Sequence, residues 1–177
     1  MTEPEVSIYI ALYYIKNEYT EEDVIVSIDG AHVKTGSTVH FDLKSFLNQC
    51  GCEKCDYEMD RWQGKYRVPG YGPKLIITSE SGIGDVNIRL LNGMKLYIES
   101  KKGKNSKAGQ EYPLMREAIG QLMTGGELTA DMIPVVAVPY TEKSRSLAER
   151  WLNYSQMKAM KIQFFLVQEN GEIHFVN

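Results

Sequence analysis

Asp85, Glu99 and Lys101 are the side chains whose types and spacing suggest chemistry, and the segment 84–101 that holds them reads as a β-hairpin. Two carboxylates can hold a hard divalent cation such as Mg2+, which takes oxygen ligands. A lysine beside them can polarise a water or stabilise charge on a phosphate. Together they are the equipment for metal-assisted hydrolysis of a phosphodiester. Glu99 and Lys101, two apart on one strand, point the same way.

The hairpin register decides whether Asp85 joins them. Asn92-Gly93 is a strong turn signal that allows two pairings. A two-residue type I′ turn pairs Leu91 with Met94 and sends Asp85 and Glu99 to opposite faces. A three-residue loop with a glycine bulge pairs Leu90 with Met94 and sets Asp85 across from Glu99. Only the second gives one wholly apolar face, from Val86, Ile88, Leu90, Met94, Leu96 and Ile98. The sequence therefore predicts the bulge, with Gly93 at positive φ and the two carboxylates on Cβ atoms about 5 Å apart.

Asp85, a hairpin, and then Glu99-Ser100-Lys101 resemble the signature of the PD-(D/E)xK, or restriction-endonuclease-like, nucleases. The likeness extends over about residues 74–140: a basic segment at 101–107, a helix at 111–124 carrying Arg116, Glu117 and Gln121, then a strand at 133–138. One departure is that glycine, not proline, precedes Asp85. The resemblance implies an α/β fold with an αβββαβ core, its mixed central sheet flanked by helices. It implies Mg2+ or Mn2+ held by Asp85, Glu99 and the Ser100 backbone carbonyl. Lys101 would orient or deprotonate the attacking water, or neutralise the phosphate. Gln121, with Gln110 as second candidate, would lie near the site, on a helix packed through Leu114, Ala118 and Leu122. The implied substrate is nucleic acid, DNA ahead of RNA, and by analogy a homodimer would cut two strands. The superfamily also contains inactive members, so a nucleic-acid- or protein-binding module of the same fold is the rival reading.

The elements that must position these groups follow from periodicity and caps. A buried helix is predicted over 4–16, capped by Thr2 or Glu3, with Glu5 near its start. A strand follows at 24–28, then an irregular or paired stretch at 32–41, and a helix from Asp42 to residue 49. Residues 50–72 promise little regular structure. A strand at 74–78 leads to the hairpin. Beyond it come a buried strand at 132–139, paired after Pro134, and a helix from Ser144 or Ser146 to about 160. A closing hairpin turns at Asn170-Gly171. The reading is one domain, 1–177, with a loop-rich insertion at about 24–72 available for substrate or partner contacts.

With 177 residues and a net charge of −3, the chain carries no global electrostatic case for nucleic acid. The local case is stronger: Lys95, Lys101, Lys102, Lys104 and Lys107 cluster by the motif, and Arg116, Lys65 and Arg67 are further candidates for phosphate contact. No stretch approaches the roughly 20 apolar residues of a membrane span. The acidic start, Glu3 and Glu5, lacks the basic opening of a signal peptide, and the expected location is cytoplasmic. Cys52 and Cys55 have zinc-knuckle spacing, and Cys50 and His40 would complete four ligands. Cys50 and Cys52 are crowded, however, and three reduced thiols in a loop is the preferred reading. Gly82-Ile83-Gly84 precedes a strand rather than a helix, which excludes a dinucleotide fold.

Overall fold

A computed structural model of the chain describes residues 1–55, 61–80, 84–103 and 109–177. Its first helix, α1 (Glu3–Lys16), starts at a reciprocal capping box. The Thr2 hydroxyl accepts from the Glu5 N–H at 3.4 Å, and the Glu5 carboxylate accepts from the Thr2 N–H. Both donors would otherwise be orphaned at the helix start. Val6, Ile8, Ile10, Ala11 and Ile15 are fully buried, so α1 is enclosed on nearly all sides.

After β1 (Val24–Ser27) comes a one-turn helix, α2 (Gly30–Val33), and a small hairpin of β2 (Lys34–Thr35) and β3 (Thr38–Val39). α3 (Leu43–Gln49) is capped by Asp42, which accepts from the Ser45 N–H at 3.1 Å. The strands β4 (Glu53–Lys54), β5 (Gly64–Arg67) and β6 (Lys74–Thr78) precede the hairpin of β7 (Val86–Arg89) and β8 (Lys95–Ser100). Next are α4 (Glu111–Thr124), β9 (Met132–Pro139), α5 (Glu142–Leu152), α6 (Ser155–Met160), β10 (Gln163–Val167) and β11 (Ile173–Val176).

Among the described residues, nine strands form one mixed sheet in the order β11-β10-β9-β8-β7-β1-β6-β5-β4. β8, β9 and β10 run parallel, as do β1 and β6, and the remaining neighbours are antiparallel. The chain is thus α/β, a large mixed sheet with helices on both faces. α1 covers one face over Val86, Ile88, Leu96 and Ile98 of the hairpin, and α3 adds Leu43, Phe46 and Leu47 to the same core. α4 and α5 cover the other, against Tyr97, Val136, Phe164 and Leu166. The predicted apolar face of the hairpin is the one under α1.

Several local expectations are corrected. Residues 50–72 contribute β4 and β5 to the sheet edge. The signal lay in Lys65-Tyr66-Arg67, where a buried tyrosine alternates with two exposed cations. Within residues 24–72 the strand expected at 24–28 is present as β1, in the middle of the sheet. The helix expected from Ser144 or Ser146 starts earlier, at Thr141, whose hydroxyl accepts from the Ser144 N–H at 2.9 Å. It breaks after Leu152, and α6 is separate. Pro134 lies inside the β8–β9 ladder, which begins at Met132; only the β10 side begins after it, at Val135.

Candidate active site

The hairpin turns through the three-residue loop. The Leu90 N–H donates to the Met94 carbonyl at 2.8 Å, the Gly93 N–H donates to the Leu90 carbonyl at 2.9 Å, and Gly93 has φ +82. Ile88 pairs with Leu96 and Val86 with Ile98. One residue further on, Asp85 falls opposite Glu99, and there the ladder changes. The Asp85 N–H donates to the Ile98 carbonyl at 2.9 Å, while its carboxylate Oδ2 accepts the Ser100 N–H at 2.7 Å. A side chain has replaced a backbone acceptor. The Asp85 carbonyl accepts from the Ser27 N–H at 2.8 Å, which ties the residue to β1. Gly84 has φ +72, a conformation closed to proline, whose ring fixes φ at about −65°. A Cβ on Gly84 would also meet the Tyr97 ring at 2.9 Å. Glycine in place of proline before the aspartate has a steric reason here.

Glu99 and Lys101 face α4 and are only 8% and 5% exposed. The Lys101 Nζ donates to Glu99 Oε1 at 3.2 Å and lies 3.6 Å from Glu117 Oε1. At the other end of the contact, a Cβ on Gly125 would meet the Tyr97 hydroxyl at 2.9 Å. α4 therefore runs antiparallel to β8. Four residues of helix advance about 6 Å and two of strand about 6.6 Å. Glu117, Gln121 and Gly125 thus keep step with Lys101, Glu99 and Tyr97. Gln121 falls beside Glu99, and both line one cleft of about 480 Å³. α4 packs through Met115, Ala118 and Leu122; Leu114, expected in that stripe, is only half-buried.

The cleft opens along one end of the sheet. The ends of β1 and β6 contribute Asp29 and Glu80, the start of β7 contributes Asp85, and β8 contributes Glu99. No lysine or arginine lines it among the described residues. Burial first, and then Glu99, push the Asp85 carboxyl up to about 7, against the pull of the Ser100 N–H and Lys101. Burial also raises Glu99, with Lys101 opposing. Burial pulls Lys101 down, yet Glu3, Glu99 and Asp85 together hold it above its ordinary value. Glu3 thus acts on all three groups and was missed from sequence. It stands one helical turn before Ser7, whose hydroxyl donates to Ser100 Oγ at 2.9 Å. A serine inside an apolar helix, with a carboxylate four residues before it, was the available signal.

The other candidates lie elsewhere. Lys102 is exposed just past Lys101. Arg116 sits across α4 from the cleft, 5.5 Å over the Tyr112 ring. Lys65 and Arg67 are on β5, four strand spacings or about 19 Å from β8, beside Asp23 and Glu53. Lys104 and Lys107 fall outside the described residues. Cys52 is buried in the core, its thiol pushed up to about 11 by burial; Cys50 is half-buried, while Cys55 and His40 are exposed. Among the described residues no three His, Cys, Asp or Glu side chains gather so as to hold a metal ion, in the cysteine loop or at the cleft. Nor, among them, is any helix long and apolar enough to cross a membrane. Neither family models, nor curated proteins, nor solved structures give a match to this chain.

Proposed function

We propose that the chain is a Mg2+- or Mn2+-dependent nuclease of the restriction-endonuclease-like type, hydrolysing phosphodiester bonds in DNA. The observation that carries this reading is that Asp85 and Glu99 both line one acidic cleft, with Lys101 Nζ held against Glu99. There two neighbouring carboxyls are pushed upward by burial, and a buried ammonium lies 3.2 Å from one of them, Glu99. With α2, α3 and β2–β6 set aside as an insertion between β1 and β7, the remaining order α1-β1-β7-β8-α4-β9 supports it, since it follows αβββαβ with β9 parallel to β8.

The donor set suits a hard cation. Asp85 Oδ2 accepts the Ser100 N–H and Glu99 Oε1 accepts from Lys101, and the second oxygen of each carries no hydrogen bond among the described residues. Those two oxygens and the Ser100 carbonyl are the ligands this reading assigns. Mg2+ bound there would supply an acidified water and stabilise charge on phosphoryl oxygens. The rest falls to the chain. Asp85 releases its proton before it can ligate. Lys101 favours the ionised form of Glu99 against the burial that raises it, and its hydrogen bond fixes the carboxylate's direction. Gln121 offers amide donors on the cleft wall, within reach of a phosphate or water lying there. Because the described lining has no basic side chain, substrate charge falls mainly to the cation, with Lys101 acting through its contact with Glu99.

Plasmid and single-stranded DNA incubated with the protein in Mg2+ or Mn2+ should be cut, and chelator should stop the reaction. Asp85→Asn should remove both cleavage and the calorimetric heat of Mg2+ binding. No cleavage of either substrate and no heat of binding would refute the proposal in favour of a non-catalytic binding module. The acidic, lysine-poor lining is the observation that favours that module.

A further inference from the structure

α4 has a second working side. Toward α5 and α6, Tyr112, Arg116 and Ile119 border a groove of about 330 Å³ whose other wall is Trp151, Tyr154 and Met157. Trp151 is buried and forms the floor, its ring 5.6 Å from Tyr112 in an edge-on contact. Tyr112 and Tyr154 are 41% and 47% exposed, large aromatic surfaces left in water. The Arg116 guanidinium lies over the Tyr112 ring, and no carboxylate pairs with it among the described residues; its neighbour Glu117 turns to Lys101 instead.

Gly120 stands on the outer ridge of α4, between groove and cleft. A Cβ there would meet nothing within 4 Å among the described residues. Packing among the described residues does not require the glycine, and alanine would make a firmer helix. Glycine inside an exposed helix makes sense where another backbone must pass close to it. Arg116 and Gly120 are one turn apart, as are Glu117 and Gln121, so the ridge separates groove from cleft by about the 10 Å width of a helix.

The geometry points to a second binding site: a groove for a single-stranded nucleic-acid segment that leaves the cleft, crosses α4 at Gly120 and stacks a base on Tyr112 and Tyr154, with Arg116 on its phosphate. Aromatic rings take any base, and an arginine beside them matches both a π-face and a phosphate. The path of the strand rests on the nuclease reading of the cleft, but the groove is tested by binding alone.

The probe is fluorescein-labelled oligothymidylate, followed by anisotropy in chelator so that no cleavage intervenes. Tyr154→Ala and Arg116→Ala should each weaken binding about five- to hundred-fold; both side chains are exposed, and unchanged melting would verify the fold. Gly120→Gln should raise the melting temperature and yet weaken binding, an opposition that a purely structural role would not produce. Undiminished binding in all three variants, equal binding of a duplex, or no binding by the parent overturns the proposal. The cleavage assay separates the two readings. A parent that binds the strand through these residues but cuts nothing keeps the groove and loses the nuclease. A parent that cuts, with variants that bind like it, loses only the groove.

Discussion

Burial and Glu99 let Asp85 keep its proton up to about pH 7, whereas its ordinary value, the one expected on unfolding, is 3.8. Between these limits the folded chain binds more protons than the unfolded one. Stability from this group is greatest below the window, falls as pH rises through it and is level above. In chelator the denaturation midpoint should therefore be higher at about pH 5 than at about pH 8, and Asp85→Asn should flatten the difference. A parent midpoint that climbs with pH would contradict the assignment. Mg2+ inverts the sign, because the cation displaces the proton: its stabilising effect should grow with pH up to about 7. Lys101 makes a separate case. A surface pair would cost about 0–1 kcal/mol to remove, but this ammonium is buried against Glu99. Lys101→Ala should cost about 3 kcal/mol near neutral pH and less in acid, where Glu99 neutralises itself. Urea titration at the two pH values measures both.

The two glycines that shape the hairpin make different demands. Gly93 has φ +82 with no described atom within 4 Å of a Cβ added there, while Gly84 has φ +72 with the Tyr97 ring at 2.9 Å. Gly93→Ala should cost about 1–2 kcal/mol for the left-handed backbone alone. Gly84→Ala should add a clash of about 1–3 kcal/mol and weaken Mg2+ binding by shifting Asp85. Equal costs in urea would mean that the tyrosine simply gives way. The hairpin register was legible because it is local: alternation from Val86 to Ile98 and one Asn-Gly turn leave a single consistent answer. The face of α4 was legible to within one position, since Met115 and Leu114 are neighbours in an apolar run. β5 was overlooked because its period-two signal spans only Lys65-Tyr66-Arg67 among glycines and aromatics that also suit a loop.

Across the whole molecule the limit of the sequence is sheet order. Asp29 and Glu80 reach the cleft only because β1 lies beside β7 and β6 beside β1, and periodicity along a chain does not encode which strands adjoin. Glu3 enters from the opposite face for the same reason. The continuous sheet, about 38 Å across its eight spacings, joins the site to the core, so cation binding should stabilise the chain as a unit. At Mg2+ about 100-fold above its dissociation constant, unfolding should cost about 2.7 kcal/mol more. That gain should vanish in Asp85→Asn and appear equally by fluorescence and by circular dichroism. A shift seen by only one probe would mean that the cleft end of the sheet melts on its own.

The Ser100 amide hydrogen is held by a carboxylate, not by a neighbouring strand's carbonyl. Its exchange with deuterated solvent therefore reports on a side chain. The next amide along, Lys101, is held by the Ala137 carbonyl at 2.8 Å, inside the β8–β9 ladder. In Asp85→Ala the Ser100 hydrogen should exchange faster while the Lys101 hydrogen keeps its protection. Two adjacent amides would then act as separate clocks, one for the integrity of the site and one for that of the sheet. Protection that falls equally at both would mean that the aspartate braces the strand as a whole.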